Sequence, residues 1–254
     1  MAKLAEQLQT VLPGLQLETV PSCGSTNSVL LERARGGDIK PCLLMAEEQT
    51  QGRGRQGRPW QSSAGASLTF SLALPLKPQD WLGLSLAVGV ALADALDPAG
   101  HHITLKWPND LWLYGRKLGG ILIETVAAAQ QRICVVGVGI NILPQSFSGL
   151  ATGYAALQEI DPQATAASAC ATVAGPLVLA LQRFEGDGFA PFAVPFAKRD
   201  VLRGQTITTT LAGLPQGVAE GVDVQGALLV RAGVLHRLTS GEVSVRPASA
   251  PLLA

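Results

Sequence analysis

The sequence is short of charged residues, and its two signs cancel. Lys, Arg, Asp and Glu make up 15% of 254 residues, and 19 basic residues face 19 acidic ones, whereas a typical soluble protein carries about 25% charged residues. A general nucleic-acid binder needs a basic surplus to displace counterions from the phosphate backbone. That class of protein is therefore disfavoured, although a local basic cluster could still bind one anionic ligand.

Cysteine is also scarce, and its spacing lacks the pairs that are typical of zinc sites. The cysteines are Cys23, Cys42, Cys134 and Cys170. We therefore expect reduced, mostly buried thiols in a cytosolic protein, and no metal ligand is assigned.

Signals for export or membrane insertion are weak. Residues 1–10 lack the basic start and the apolar run of a signal peptide. The uncharged stretch 162–182 is long enough to span a membrane, but prolines and polar residues interrupt its alanines. A packed helix in a soluble protein is therefore predicted.

Hydrophobic periodicity predicts a mixed α+β domain built on a mostly antiparallel sheet. Predicted helices cover 25–35, 81–96 (with Asp80 as its cap) and 165–184. Predicted strands cover 42–47, 66–74, 103–113, 118–126 and 132–143, with a hairpin turn at 114–117. Short strands with glycine-rich turns follow residue 199, which predicts a small β-barrel and a boundary between 1–199 and 200–254.

The segment GRGRQGRPW at 52–60 alternates arginine with glycine. Glycine lets backbone N–H groups approach a ligand, and arginine offers planar donors that match carboxylate and phosphate oxygens. The segment therefore suits a carboxylate, a triphosphate or both. A solvated basic loop and an RNA-binding segment are the alternatives, and the pattern does not match the Walker motif.

The motif KWPND at 106–110 places Lys106 at the end of a predicted strand. A lysine held there is a fixed charge that can stabilise an α-phosphate during displacement of pyrophosphate. Asn109 and Asp110 could bind Mg²⁺ or a hydroxyl, or could simply form a Pro-Asn-Asp turn.

Three further motifs carry small or polar residues. In RKLGGILIE, Lys117 could reach a phosphate, or the glycines could mark a hairpin bulge. GVGIN at 137–141 does not match the dinucleotide fingerprint, and its glycines suggest close approach of a ligand or another backbone, with Asn141 as a ligand contact or a turn residue. Ser25, Thr26 and Asn27 could cap a helix or, with Gln49, bind an amide-like ring.

In this order and spacing, the motifs from 21 to 141 resemble those of biotin protein ligases, and the likeness continues more loosely through GVDVQGALLV and GEVSVR. The resemblance implies a fold like that of class II aminoacyl-tRNA synthetases and biotin ligases, followed by an SH3-like β-barrel. It implies biotin contacts at Ser25, Thr26, Asn27, Gln49, Arg53, Gly54, Arg55 and Lys106. It implies nucleotide contacts at Arg58, Trp60, Asn109, Lys117, Gly139, Asn141 and Tyr154.

The same resemblance implies the chemistry. Biotin would react with ATP and Mg²⁺ to form biotinyl-5′-AMP, and a lysine of a biotin carboxyl carrier protein would then take the biotinyl group. Lys106 would hold the carboxylate and the α-phosphate, and Arg55 would retain the adenylate. A cytoplasmic monomer or homodimer is expected. A lipoate or octanoate ligase and a non-catalytic regulator are the alternatives.

Two expectations complete the sequence-based hypothesis. Bifunctional relatives carry a winged-helix domain before the Ser-Thr-Asn motif, and 24 residues precede Ser25 here, so DNA binding is not expected. The hypothesis also requires the segments of Arg55 and Lys106 to share one cleft.

Overall fold

A computed structural model describes residues 2–128, 130–145, 153–211, 213–239 and 246–247. Its helices are α1 (Ala2–Val11), α2 (Thr26–Arg35), α3 (Leu84–Leu96), α4 (Ala166–Asp187) and α5 (Ala190–Arg199). Its first seven strands are β1 (Gln16–Cys23), β2 (Cys42–Gln49), β3 (Ser67–Pro75), β4 (Ile103–Lys106), β5 (Asp110–Leu113), β6 (Arg116–Ala128) and β7 (Gln131–Asn141). The later strands are β8 (Thr206–Thr208), β9 (Gln216–Val222), β10 (Leu228–Ala232), β11 (Val234–Leu238) and β12 (Arg246–Pro247).

The first seven strands form one sheet in the order β1-β2-β3-β7-β6-β5-β4. Only β1 and β2 run parallel, and every other neighbouring pair is antiparallel. The predicted hairpin is the tight turn between β5 and β6, where Tyr114 and Gly115 both have positive φ. The predicted mixed fold with a mostly antiparallel sheet is confirmed.

The two faces of this sheet are covered differently. One face carries the main core, in which Phe70 and Val136 pack with the apolar residues of α3 and α4. The other face carries a smaller core, in which Leu30 and Leu31 of α2 pack over Leu44 and Val135. Helix α2 covers only part of this second face.

Helix α3 starts later than predicted. It begins at Leu84 rather than at residue 81, and Gly83, with φ of 82°, is its N-cap. Asp80 instead accepts a hydrogen bond from the backbone N–H of Leu82 at 2.9 Å, which forms a turn before the helix. Only glycine readily adopts this left-handed conformation, so the chain cannot continue as a helix across Gly83.

The predicted strand 103–113 is two strands. β4 and β5 pair antiparallel, with Lys106 opposite Asp110, and the chain reverses through a cis Trp107–Pro108 peptide bond. Proline has no N–H to donate to a sheet ladder, which is the physical reason for the interruption. Helices α1 and α5 and strand β1 were not predicted.

The uncharged stretch near 162–182 lies mostly in α4. This helix is long and apolar enough to cross a membrane by length and composition alone. Its residues Val173, Leu177, Leu181 and Phe184 are fully buried at helical spacing, and the helix packs against α1, α3 and β3. The apolar side of α4 therefore belongs to the core, as predicted.

All four cysteines are unpaired, and three of them are buried. Burial raises the pKa of Cys134 to about 12, and burial is also the main reason that the pKa of Cys170 rises to about 12. Thiols of this kind stay protonated at neutral pH and are poor nucleophiles. The prediction of unpaired, mostly buried thiols is confirmed.

The later strands form a second, antiparallel sheet in the order β11-β10-β9-β8-β12. We call residues 200–239 and 246–247 the C-terminal module. The sequence HRLTSGEVSVR at 236–246 was among the short strands predicted after residue 199. It overlaps the end of β11 and the start of β12, and its part at 240–245 lies outside the described residues.

The start of β4 is held by a buried ion pair. Arg199, which is 6% exposed, reaches Asp97 at 3.2 Å and donates to the carbonyl of Ile103 at 2.9 Å. The Asp97 carboxylate also accepts the backbone N–H groups of His101, His102 and Ile103. Burial alone would raise the pKa of Asp97, but these N–H groups and Arg199 lower it from 3.8 to about 2.

A group whose pKa is lower in the folded state stabilises the fold above its unfolded pKa. Asp97 should therefore contribute roughly 2 kcal/mol above pH 4, and this contribution should disappear as the pH falls towards 2. Urea unfolding across this pH range should show a steeper loss of stability for the wild type than for Asp97→Asn. Asp94→Asn, at an exposed partner of Arg199, should keep the wild-type slope, and equal slopes for all three proteins would contradict the prediction.

Candidate active site

A row of paired residues crosses the seven-stranded sheet on the face that α2 covers only in part; we call this face the open face. Strand pairing aligns Ala46, Thr69, Gly139, Gly120, Asp110 and Lys106 on six successive strands. Directly opposed residues of antiparallel strands point to the same face. The row therefore places Lys106 and Asp110 on the face that carries the glycines.

The glycines of β7 make room for side chains that lie directly on the strand. A Cβ built on Gly139 would lie 2.4 Å from Cε2 of Trp60, and a Cβ on Gly137 would lie 2.3 Å from Oδ1 of Asn27. Real Cβ atoms do not approach other atoms so closely. The glycines do permit a close approach, but side chains from loop 52–60 and from α2 make these contacts, whereas a ligand or another backbone was expected.

The Ser-Thr-Asn motif begins α2 and faces the glycines of β7. Ser25 is the N-cap, and its Oγ accepts the backbone N–H of Ser28 at 3.5 Å. The backbone N–H and the hydroxyl of Thr26 lie 2.7 and 3.0 Å from Oε1 of Gln49. The motif therefore caps the helix and also brings Thr26 and Gln49 together, as the site hypothesis requires.

Two polar residues of this site were missed in the sequence. Ser71 donates to Oδ1 of Asn27 at 2.6 Å and lies 2.6 Å from the hydroxyl of Thr26. Glu124 accepts from Nδ2 of Asn27 at 2.9 Å and from Arg53 at 2.8 Å. The alternation of small polar residues in SLTFS along a buried strand was the available signal for Ser71.

Arg55 and the Lys106 segment lie in the same region. Nη1 of Arg55 donates to Oδ1 of Asn109 at 3.4 Å, and Asn109 belongs to the turn that follows Lys106. Nδ2 of Asn109 in turn donates to the carbonyl of Ile121 at 2.8 Å. Loop 52–60 and the KWPND segment are therefore in contact, as the hypothesis requires, and a cleft shared by Arg55 and Lys106 stays a prediction.

The charge of Arg55 is partly removed from water. Burial is the main cause that lowers the pKa of Arg55, nearby Arg58 lowers it further, and Asp110 opposes both. Arginine nevertheless stays protonated at neutral pH. A cation with reduced hydration interacts more strongly with an incoming anion, which suits Arg55 to a negatively charged ligand.

Two lysines stand on either side of β5. Lys106 is 6% exposed, and its ammonium lies 4.7 Å from the centre of the Trp112 ring. Lys117 forms an ion pair of 2.8 Å with Asp110. The aromatic face holds one cation by a cation–π contact and the carboxylate holds the other, so both charges are fixed before any ligand arrives.

Asn141 and Tyr154 anchor the segment that follows β7. The buried Asn141 donates to the carbonyls of Lys117 and Ala155 at 3.2 and 3.0 Å. The hydroxyl of Tyr154 donates to the carbonyl of Leu143 at 3.0 Å, and burial raises the pKa of Tyr154 to about 12. Nucleotide contacts for Asn141 and Tyr154 stay predictions.

Loop 52–60 closes on itself. The backbone N–H of Gly54 donates to the carbonyl of Arg58 at 2.7 Å, and that of Trp60 donates to Gly52 at 2.9 Å. Arg53 and Arg58 are exposed.

In the part of the chain that the structure describes, no group of three or more His, Cys, Asp and Glu could hold a metal ion.

Comparison with known proteins identifies similar sequences and folds. The model of the biotin/lipoate A/B protein ligase family matches residues 21–141. The bifunctional ligase/repressor BirA of Escherichia coli is 36% identical over 96% of this chain and 78% of its own length. The biotin–[acetyl-CoA-carboxylase] ligase of Mycobacterium tuberculosis is 34% identical over 86% of this chain and 84% of its own length.

A solved structure shows the same architecture. The biotin protein ligase from Aquifex aeolicus in complex with biotin and ATP has a TM-score of 0.78 and 26% identity, over 92% of this chain and 99% of that one.

Gly139→Ala should displace Trp60 from β7, because the added methyl group would overlap the indole ring. We expect a loss of roughly 1–3 kcal/mol in unfolding free energy, as for other overpacked sites, together with a change in tryptophan fluorescence. Gly175→Ala is the matched control, since a Cβ there meets nothing within 4 Å inside α4 and should stabilise by up to about 1 kcal/mol. Equal stabilities of the two variants would refute the packing argument.

Proposed function

This chain belongs to the biotin/lipoate A/B protein ligase family, and from this membership we propose that it is a biotin–[acetyl-CoA-carboxylase] ligase. It uses ATP to activate biotin as biotinyl-5′-AMP and transfers the biotinyl group to a lysine of a biotin carboxyl carrier protein. The family includes lipoate ligases, so the choice of biotin rests on the named relatives and on the similar structure that contains biotin and ATP.

One observation supports this proposal most strongly. Arg55, Lys106 and Lys117 come from three separate segments and surround Asn109 and Asp110: Arg55 donates to Asn109 at 3.4 Å, Lys117 forms an ion pair with Asp110 at 2.8 Å, and Lys106 lies opposite Asp110 in the sheet. Three cations from separate segments suit a site that brings together a carboxylate and a phosphate. An acid with an uncharged ring system, such as biotin, would place its carboxylate at this cluster.

The Ser-Thr-Asn end of the site supplies groups for the uncharged part of biotin. Thr26, Asn27 and Gln49 present hydroxyl and amide groups that can both donate and accept hydrogen bonds. In the structure these groups bond to one another and to Ser71. We propose that the ureido ring of biotin takes over part of this network.

The first reaction joins two anions. The carboxylate oxygen of biotin attacks the α-phosphorus of ATP, the bond to the bridging oxygen breaks, and pyrophosphate leaves. Fixed positive charge lowers the barrier because it offsets the repulsion as the two groups approach. Lys106 and Lys117 are suited to this role, since Trp112 and Asp110 already hold their positions.

The product of this step is a mixed anhydride that water would hydrolyse. Loop 52–60 lies over the site, with Trp60 against Gly139 and Arg55 against Asn109. We propose that this loop excludes water and retains the adenylate until the acceptor arrives. The amine of the acceptor lysine then attacks the acyl carbon, and AMP leaves with the electrons of the broken bond.

Several finer features remain part of this proposal. Mg²⁺ would arrive with ATP and be held mainly by phosphate oxygens and water. Residues 200–254 would form the SH3-like barrel beside the catalytic domain 1–199. The protein would act in the cytoplasm as a monomer or homodimer, and its zero net charge argues against DNA binding.

The test of the proposed function is biotin-dependent exchange of labelled pyrophosphate into ATP by the purified chain. We expect exchange with biotin and little with lipoate. Exchange that depends on lipoate instead would support the lipoate ligase alternative. Binding of biotin without exchange would support a non-catalytic regulator.

Lys106→Ala should reduce pyrophosphate exchange by orders of magnitude, because one fixed cation next to the reacting anions is lost. The exposed Lys40→Ala is the matched control and should keep the wild-type rate. Near-normal exchange in Lys106→Ala would refute the role of Lys106.

Arg55→Gly should retain some adenylate formation but release the intermediate from the site, because the contact between loop 52–60 and Asn109 is lost. The released adenylate should biotinylate bystander proteins, which streptavidin blotting would detect. Arg35→Gly, at the exposed end of α2, should remain selective for the acceptor. Strict acceptor selectivity of Arg55→Gly would count against this retention role.

A further inference from the structure

Glu124 has no role in the reaction described above, yet it joins two parts of the site. It lies on β6, and its Oε2 atom accepts from Nη2 of Arg53 at 2.8 Å and from Nδ2 of Asn27 at 2.9 Å. Arg53 belongs to loop 52–60, whereas Asn27 lies in the first turn of α2. One carboxylate oxygen is therefore bonded both to the loop and to the helix that begins with the Ser-Thr-Asn motif.

The bond to Asn27 holds the carboxylate in one orientation. Asn27 is 3% exposed, and its side-chain oxygen accepts from Ser71 at 2.6 Å. Its side-chain nitrogen donates to the carbonyl of Leu122 at 3.2 Å as well as to Glu124. An amide nitrogen carries two hydrogens, so both are used. Because the amide of Asn27 cannot rotate without breaking these bonds, it fixes the position of the Glu124 carboxylate.

The bond to Arg53 is more open to water. The side chains of Arg53 and Glu124 are 42% and 27% exposed, and Nη2 of Arg53 also lies 3.1 Å from Oε1. A bond between opposite charges is stronger than a neutral one, but water and salt weaken it at an exposed site. The ion pair can therefore break and form again as the loop moves, while Asn27 keeps the carboxylate in place.

Arg53 is well placed to control the whole loop. Its backbone pairs with that of Pro59, so the two arms of loop 52–60 are joined next to the ion pair. The arm that contains Pro59 ends at Trp60, which lies against β7. A displacement of Arg53 is therefore passed on to the opposite arm.

We propose that Glu124 is a positioning residue, whose ion pair with Arg53 holds the first arm of loop 52–60 against the start of α2. Its effect on the retention of the adenylate rests on the proposed function. Its effect on the position of the loop does not, because the ion pair forms in the protein without a ligand. Loss of the charge at Glu124 should therefore let the loop leave the sheet more often, both with and without an adenylate in the site.

The first experiment measures how often the loop opens in the protein without a ligand. Trypsin cleaves after arginine unless proline follows, so it can cut loop 52–60 after Arg53 and Arg55. Cleavage requires local opening, and its rate follows the population of the open form. The rate at each site is measured by mass spectrometry of the fragments.

Glu124→Gln removes the charge but keeps the size of the side chain and an oxygen that can accept from Asn27. We expect cleavage in the loop to become at least roughly threefold faster, because the ion pair is lost. Glu18→Gln is the matched control. Glu18 forms an ion pair of 2.8 Å with Arg33, with similar exposure of 34% and 35%, at the far end of α2. Its loss should leave cleavage in the loop at the wild-type rate.

A double-mutant cycle tests whether Glu124 acts through Arg53. Arg53→Gln is made alone and together with Glu124→Gln, and cleavage after Arg55 is compared in the four proteins. We expect the double variant to be cleaved no faster than either single variant, because all three lack the same ion pair. Single effects that multiply in the double variant would show that Glu124 acts elsewhere and would overturn the inference.

The second experiment measures retention and stability. Dissociation of biotinyl-5′-AMP should become at least roughly fivefold faster in Glu124→Gln and remain at the wild-type rate in Glu18→Gln. The midpoint of thermal unfolding should stay close to that of the wild type, since a partly exposed ion pair contributes little to stability. A residue that only supports the fold would instead lower this midpoint.

Unchanged loop cleavage in Glu124→Gln would overturn the inference, and so would faster cleavage throughout the chain with a lower unfolding midpoint. If Glu124→Gln does not fold, Arg53→Gln decides, because Arg53 is exposed and cleavage after Arg55 still reports on the loop. Failure of the wild type to form an adenylate would refute the proposed function, whereas the cleavage experiment would still decide the role of Glu124.

Discussion

The structure depends on one constraint, which is the lack of side chains along the central strand β7 where it crosses the open face. Gly137 and Gly139 let Asn27 and Trp60 rest directly on the backbone. These contacts fix the start of α2 and the end of loop 52–60 against the same strand. Because β7 lies between β3 and β6 in the sheet, it cannot move away to accommodate a larger residue, so both edges of the ligand site are set by the same backbone.

Charge is scarce in this molecule, and three of its cations lie around one short segment. Only 15% of the residues are charged, yet Arg55 contacts Asn109, Lys117 pairs with Asp110, and Lys106 lies opposite Asp110 in the sheet. Each of these cations is held by a neighbour, so little rearrangement is needed when an anion arrives. Fixed charges of this kind are more effective in catalysis than mobile ones, since the orientation is established during folding.

The segment that carries Lys106 is also held by residues outside the first sheet. Arg199 and Asp97 hold the beginning of β4, and the C-terminal module holds both neighbours of Lys106. A short strand has few ladder bonds of its own, so its position is set by these outer contacts. The C-terminal module therefore meets the first sheet at β4, the strand that ends with Lys106.

Local sequence patterns determined the core helices, most strands, the β5–β6 hairpin and the motifs that line the site, because helical and strand periodicity and turn residues act over short distances. They left α1, β1 and α5 unpredicted, and they placed the start of α3 too early because the left-handed conformation of Gly83 was not foreseen. The polar alternation in SLTFS offered a signal for Ser71, but only the tertiary structure revealed its contact with Asn27, the place of Glu124, and the bond from Trp107 to the C-terminal module. Such roles depend on which residues face each other after folding, and no local pattern encodes that pairing.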